Sequence, residues 1–148
     1  MNANPKHFDA DGIIDDDFYD ARIRATAPDK WRLFEYHVEK AVNWGASKIL
    51  DLGAGEGYFS YCCKKHGLDV VALEGSPRAV AHARSLGIDA AVHNLKFPLP
   101  LDDGSVDFVM YHDVFEHVLP SVNDNVFSEV QRVLVDGGVL LGDHNVQV

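Results

Sequence analysis

Hydrophobic positions along the chain alternate between two kinds of run, helical stripes and short dense strands. Trp31, Phe34, Val38, Ala41 and Val42 recur at helical spacing through Asn43, which predicts an amphipathic helix packed on a core. Thr26, Pro28 and Asp29 supply its start, with Thr26 as cap and Asp29 at the favourable end of the helix dipole. Lys48 to Leu52 is short and rich in Ile and Leu and predicts a first strand. Tyr58 to His66 returns to helical spacing and stops at Gly67, with Lys64 and Lys65 in its last turn. Asp69 to Glu74 (DVVALE) is apolar without alternation, as expected of a strand buried on both faces of a parallel sheet. Ser76 and Pro77 read as cap and first position of a helix that runs to Leu86 and stops at Gly87. Ala90 to His93 predicts a third strand, Phe97 to Ser105 a loop rich in Pro, Asp and Gly, and Val106 to Tyr111 a fourth strand. Val122, Val126, Val130 and Val133 share one helical face, and this helix is expected to end near Asp136-Gly137-Gly138. Val139 to Asp143 then forms a fifth strand.

Strands alternating with helices imply βαβ units with right-handed crossovers. The expected class is α/β: a Rossmann-like, doubly wound, mostly parallel sheet of about five strands in a three-layer α/β/α arrangement. Such sheets bind ligands beyond the carboxyl ends of their strands, where the strand order reverses. Residues 26–148 read as this one domain. Residues 1–25 form an acidic arm, with Asp15, Asp16 and Asp17 in a row; it is either a lid or a solvated tail.

The net charge of −10 opposes contact with phosphate backbones, so nucleic acid is disfavoured and a small-molecule or protein substrate favoured. No apolar run approaches the roughly 18 residues of a membrane span. The start, MNANPKHFDADG, lacks the basic and apolar regions of a secretory signal. The two cysteines, Cys62 and Cys63, are adjacent and cannot staple a fold, which points to a reducing, cytoplasmic setting.

The chemistry concentrates at Ile49 to Ser60, reading ILDLGAGEGYFS. A strand that carries Asp51 runs into Gly53, Gly55 and Gly57, and a helix follows at Tyr58. Glycine lets the backbone take positive φ and approach a ligand. A dinucleotide fingerprint needs G-x-G-x-x-G, and its third glycine position is Tyr58 here. Asp51 would repel a pyrophosphate but accept an amino group. Both residues therefore disfavour a nicotinamide-dependent oxidoreductase and favour a cationic, nucleoside-bearing ligand, against an ordinary glycine turn. Glu74 closes the second strand, where a carboxylate can accept from both hydroxyls of a ribose; the alternative is an exposed turn acid.

This D-x-G-x-G-x-G pattern resembles the first motif of the class I S-adenosylmethionine-dependent methyltransferases, in particular the type 11-like group. The segment HNLKFPLPLDDGSVDFVMYHDVFEHV and the junction QRVLVDGG (Gln131 to Gly138) resemble later motifs of the same class, in the same order. The resemblance implies S-adenosylmethionine as cofactor and a methyl transferase activity on a small-molecule or protein acceptor. The alternative is a catalytically weak or inactive module that binds S-adenosylmethionine or S-adenosylhomocysteine beside a partner chain. It further implies that Asp51, Gly53, Ala54, Gly55 and Gly57 hold the methionine part and that Glu74 and Gly75 hold the ribose. Asn94, where the family usually has Asp, would meet the adenine edge beside the backbone of Leu95. His112 would face the site of methyl departure, and His112, Asp113 and His117 are the candidate bases. For His117 a structural role, bonding to backbone, competes with this.

Three further expectations follow. No Asn/Asp-Pro-Pro-aromatic motif follows the fourth strand, which argues against methylation of nucleic-acid bases. The family core adds two further strands after the fifth, so the fifth strand is expected as a sheet edge. A partner chain, a homodimer through this edge, the N-terminal arm or further residues would cover it. Asp113, Glu116, His117 and His144 have the donor types for a divalent metal. Acids that merely cap a helix are the simpler reading, and no metal is assigned.

Overall fold

A computed structural model describes residues 28–112 and 114–143. The Thr26 cap, the arm at 1–25, Asp113 and His144 lie outside the described residues, as do the side chains of Asp29 and Trp31. The elements are α1 (Pro28–Trp44), β1 (Lys48–Leu52), α2 (Tyr58–Lys65), β2 (Asp69–Glu74), α3 (Pro77–Ser85), β3 (Asp89–Val92) and β4 (Val106–His112). A 3₁₀ turn at Phe115–His117, α4 (Pro120–Val133) and β5 (Leu134–Asp143) follow.

The five strands form one parallel sheet in the order β3-β2-β1-β4-β5. Side-chain alternation along the strands builds the layers. Ile49, Val70, Phe108 and Met110 face α1 and α2, packing on Val38, Ala41, Phe59, Cys62 and Cys63. Ala72 and Ala90 meet α3 through Val80 and Ala83. Leu50, Leu52, Val109 and Tyr111 point the other way, onto Val122, Val126, Val130 and Val133 of α4. The expected valine stripe is therefore the buried face of that helix. The order of strands reverses between β1 and β4, which puts the switch point at the carboxyl end of β1.

The predicted α3 start is local chemistry made visible. Ser76 Oγ accepts from the Ala79 N–H at 3.2 Å and Pro77 takes the first helical position, where its missing N–H costs nothing. One expectation needs correction. Strand β5 begins at Leu134, directly after α4, and not at Val139. Leu134 pairs with Val106 and Val139 with Phe108, so two steps along β4 oppose five along β5. The Asp136-Gly137-Gly138 stretch is this excursion within the strand, not the end of the helix. Gly137 has φ 77°. A Cβ on Gly138 would lie 2.9 Å from the Val135 carbonyl oxygen, so both glycines are demanded by the bulge.

Polar clamps fix the ends of the sheet. The Asp107 carboxylate accepts from the N–H groups of Ser47 and Lys48, tying the start of β1 to β4. Arg132 donates to the carbonyls of Leu99 and Leu101 and so holds the loop between β3 and β4 against α4. At the opposite rim the buried Tyr111 hydroxyl donates to Asn123 Oδ1 at 2.8 Å, and Asn123 Nδ2 donates to the Phe115 carbonyl at 2.9 Å. This pair fixes the turn that follows β4. Tyr111→Phe removes the donor and leaves the buried amide oxygen poorly matched. Urea unfolding is expected to show a loss of about 1–3 kcal/mol with an unchanged slope. An unchanged midpoint would show that the pair does not anchor the turn.

Candidate functional site

Parallel pairing sets the site. Leu52 lies opposite Leu73, so the residues leaving β1 and β2 emerge side by side. The N–H groups of Gly53 and Ala54 donate to the Leu73 carbonyl at 2.8 and 3.1 Å, turning the chain sharply at the sheet edge. Gly53, Gly55 and Gly57 all have positive φ, of 75°, 54° and 85°.

The space in front of two of these glycines is taken by protein, which differs from a loop kept bare for a ligand. A Cβ on Gly53 would overlap the Val114 side chain, so Gly53 allows the segment after β4 to lie across the turn. A Cβ on Gly57 would lie 2.6 Å from that of Ala83, so Gly57 lets α2 begin in close contact with α3. The third glycine of a dinucleotide fingerprint allows close packing of its helix on a strand; Gly57, one position earlier, allows close packing between two helices.

Glu74 is 5% exposed, which excludes an exposed turn acid. Its Oε2 accepts from the Gly55 N–H at 2.7 Å, and its Oε1 from Gly75 and Ser76 N–H at 2.7 and 3.1 Å. One carboxylate thus joins the glycine turn to the turn after β2. Asp51 is equally buried, and Ser60 Oγ in the first turn of α2 donates to its Oδ2 at 2.6 Å. Burial pushes the Asp51 carboxyl up from 3.8 to about 6; the Glu74 charge adds to the rise and His112 and Ser60 oppose it.

His112 ends β4 on the same rim, half-buried. Helix α1 crosses above it. Phe34 stands edge-on to the His112 ring, with centroids 6.4 Å apart, and the buried His37 ring lies 5.1 Å away. Phe34 also meets Tyr58, at 6.3 Å. Glu35 anchors this helix to α2 by accepting from His66 Nε2 at 2.9 Å, a bond that holds its carboxyl below the usual range. Phe34 read in the sequence as core stripe, and His37 carried no signal except its place one turn after Phe34.

The remaining expected residues are placed as follows. Asn94 and Leu95 follow β3, and His93 N–H donates to the Glu74 carbonyl at 2.9 Å, so they flank the same rim. The Asn94 side chain accepts from Lys96 N–H at 2.9 Å in a local turn, and Leu95 is buried in the α4 core. His117 lies on the 3₁₀ turn, where its N–H donates to the Val114 carbonyl. Of the set entertained for a metal, Asp113 and His144 and the Glu116 side chain lie outside the described residues, so it is not assembled among them.

A family described as a methyltransferase domain matches residues 50–142, more than half of the chain. The chain belongs to that family. This methyltransferase domain is 36% identical, over 106 residues, to an uncharacterised methyltransferase of Mycobacterium tuberculosis, covering 68% of this chain and 42% of the relative. It is 37% identical over 95 residues to a probable S-adenosylmethionine-dependent methyltransferase of Mycolicibacterium smegmatis, covering 63% and 36%. The chain therefore spans less than half the length of these relatives. A solved protein of Pyrococcus horikoshii superposes with a TM-score of 0.70 at 25% identity, over 80% of this chain and 58% of that one. These matches bear out the expected family and the Rossmann-like fold.

The buried Asp51 gives a signed prediction. Its raised value means that the fold holds this carboxyl without penalty below 3.8, and that the penalty grows as pH rises through about 6. Asp51→Asn keeps the shape and an acceptor for Ser60 but cannot ionise. In thermal unfolding the variant's stability relative to wild type should rise between pH 4 and pH 6 and then level off, by about 3 kcal/mol at most. A difference that is flat over this range would mean that Asp51 does not ionise as a buried group.

Proposed function

We propose that this methyltransferase domain binds S-adenosylmethionine at the carboxyl rim of β1, β2 and β4 and transfers its methyl group to a small-molecule or protein acceptor. One observation carries the reading: two buried carboxylates, Asp51 and Glu74, flank a glycine turn at the switch point of a parallel sheet. Two acids on one desolvated rim raise each other's cost, and a cationic ligand offsets that cost. A phosphate-rich dinucleotide would add to it.

On this reading Asp51 takes the ligand's amino group, and the main chain at Gly53, Ala54, Gly55 and Gly57 lies along its methionine part. Glu74 and Gly75 take the ribose, with the Glu74 carboxylate already oriented by three main-chain N–H groups. Asn94 and the Leu95 backbone stand at the adenine edge. When bound, the sulfonium supplies an already activated methyl group, so the protein's work is alignment and exclusion of water. His112 accepts the proton of an acceptor that arrives protonated; Asp113 and His117 are the further candidates. The net charge of −10 continues to disfavour a nucleic-acid acceptor.

The setting follows the same lines. Cys62 and Cys63 are buried free thiols, and burial pushes Cys62 up to about 12, which makes it an unreactive part of the core; the reducing, cytoplasmic setting rests on their adjacency alone. No helix among the described residues is long and apolar enough to cross a membrane. Within the described sheet β5 pairs with β4 alone. A second copy of the chain, or further chain, is the proposed cover of this edge.

Calorimetric titration with S-adenosylhomocysteine tests the reading. Wild type should bind, and Glu74→Gln should bind about tenfold or more weakly, because the amide returns one acceptor fewer to the ribose. The absence of heat at saturating ligand, in a sample shown to be folded, would remove the cofactor assignment.

A further inference from the structure

The acceptor must reach the rim where His112 stands, and the neighbouring side chains there are rings. Phe34 and His37 come from α1, Tyr58 from the start of α2, His112 from the end of β4 and His82 from α3. They form a row. His37 lies 5.1 Å from His112, Phe34 6.4 Å from His112 and 6.3 Å from Tyr58, and Tyr58 5.7 Å from His82. Rings recruited only for the core are covered, as Phe59 and Tyr111 are at 4% and 1% exposure. Phe34, Tyr58, His82 and His112 stay half-buried, whereas His37, at 3% exposure, is a covered ring that backs His112.

We propose that this row is the acceptor subsite and that the acceptor is a neutral, planar aromatic small molecule carrying a hydroxyl or ring-nitrogen nucleophile. The inference rests on the cofactor reading above and adds the substrate class to it. The planes of Phe34 and Tyr58 differ by 35°, while His112 stands edge-on to Phe34 at 82° and His82 edge-on to Tyr58 at 72°. A flat ring can stack on one member of such a row and meet the next edge to face. The acidic groups on the rim, Asp51 and Glu74, disfavour an acceptor bearing carboxylate or phosphate. Phe34 and His37 lie upstream of residues 50–142, whereas Tyr58, His82 and His112 lie within them, so part of the row comes from outside the segment that the family shares. In the transfer, the acceptor's heteroatom forms a bond to the methyl carbon as the carbon–sulfur bond breaks. Sulfur keeps the electron pair and becomes a neutral thioether, and the acceptor's proton passes to a His112 ring nitrogen.

The test uses 2-naphthol as probe, with cyclohexanol and butylamine beside it, each titrated with and without saturating S-adenosylhomocysteine. 2-Naphthol should bind at least about fivefold more tightly than cyclohexanol and shift the ring-proton resonances of His112. Phe34→Leu should remove that advantage while S-adenosylhomocysteine affinity stays within about twofold. Tyr58→Leu serves as the second variant where Phe34→Leu fails to fold. Equal affinity for cyclohexanol, unmoved His112 resonances, or an advantage that survives both variants would overturn the proposal. Preference for butylamine would overturn it in favour of an amine-bearing protein acceptor. Failure of S-adenosylhomocysteine to bind would instead strike the cofactor reading, while the naphthol arm without it still decides this one.

Discussion

Three main-chain N–H groups converge on the carboxylate of Glu74, and the geometry of the rim depends on that convergence. Gly55 donates from the turn after β1, and Gly75 and Ser76 from the turn after β2. Nineteen positions of sequence are closed by one side chain. Both turns leave the sheet where backbone N–H groups have no strand partner, and an unmatched buried donor costs more than a typical hydrogen bond gains. The anion answers this need at both turns at once. It also makes the position of the glycine turn a consequence of the β1–β2 register, because Leu52 opposite Leu73 is what brings Gly55 within reach.

The same rim is a poor place for negative charge. Asp51 and Glu74 are both almost fully buried, and the Asp51 carboxyl rises mainly because of that burial. Ser60 and His112 reduce the cost without removing it. A sequence selected for stability alone would place an amide at Asp51, with the same shape and no ionisation to penalise. On the proposed reading, the amino group of the ligand meets this acid and offsets the penalty.

Much of this was legible in sequence because it is local. Strand β2 reads as buried on both faces from its unbroken apolar run, and Ser76-Pro77 reads as a helix start from cap chemistry. The parallel class follows from strands alternating with helices. What stayed hidden depends on contacts between distant segments. Nothing near Gly53 shows that Val114, some sixty residues on, will fill the space its missing Cβ leaves. Nothing in Asp136-Gly137-Gly138 separates a helix stop from a bulge, since both need a residue at positive φ. Phe34 obeys the helical stripe of a core residue, yet it stands half-buried at the rim, next to the Glu35–His66 contact that joins α1 to the end of α2.

The rim therefore has two sides whose origins differ in part. The sheet edge supplies main-chain N–H groups and carboxylates, and it lies wholly within the segment matched to the family. The roof supplies rings: Tyr58, His82 and His112 belong to that segment, while Phe34 and His37 reach it from α1, upstream of it. A cofactor common to many enzymes must meet geometry that is the same in all of them, and strand register provides such geometry. An acceptor differs from enzyme to enzyme. Its contacts are best carried by an element that can change without disturbing the register, and α1 meets that condition: it packs on one face of the sheet and contributes no strand to it.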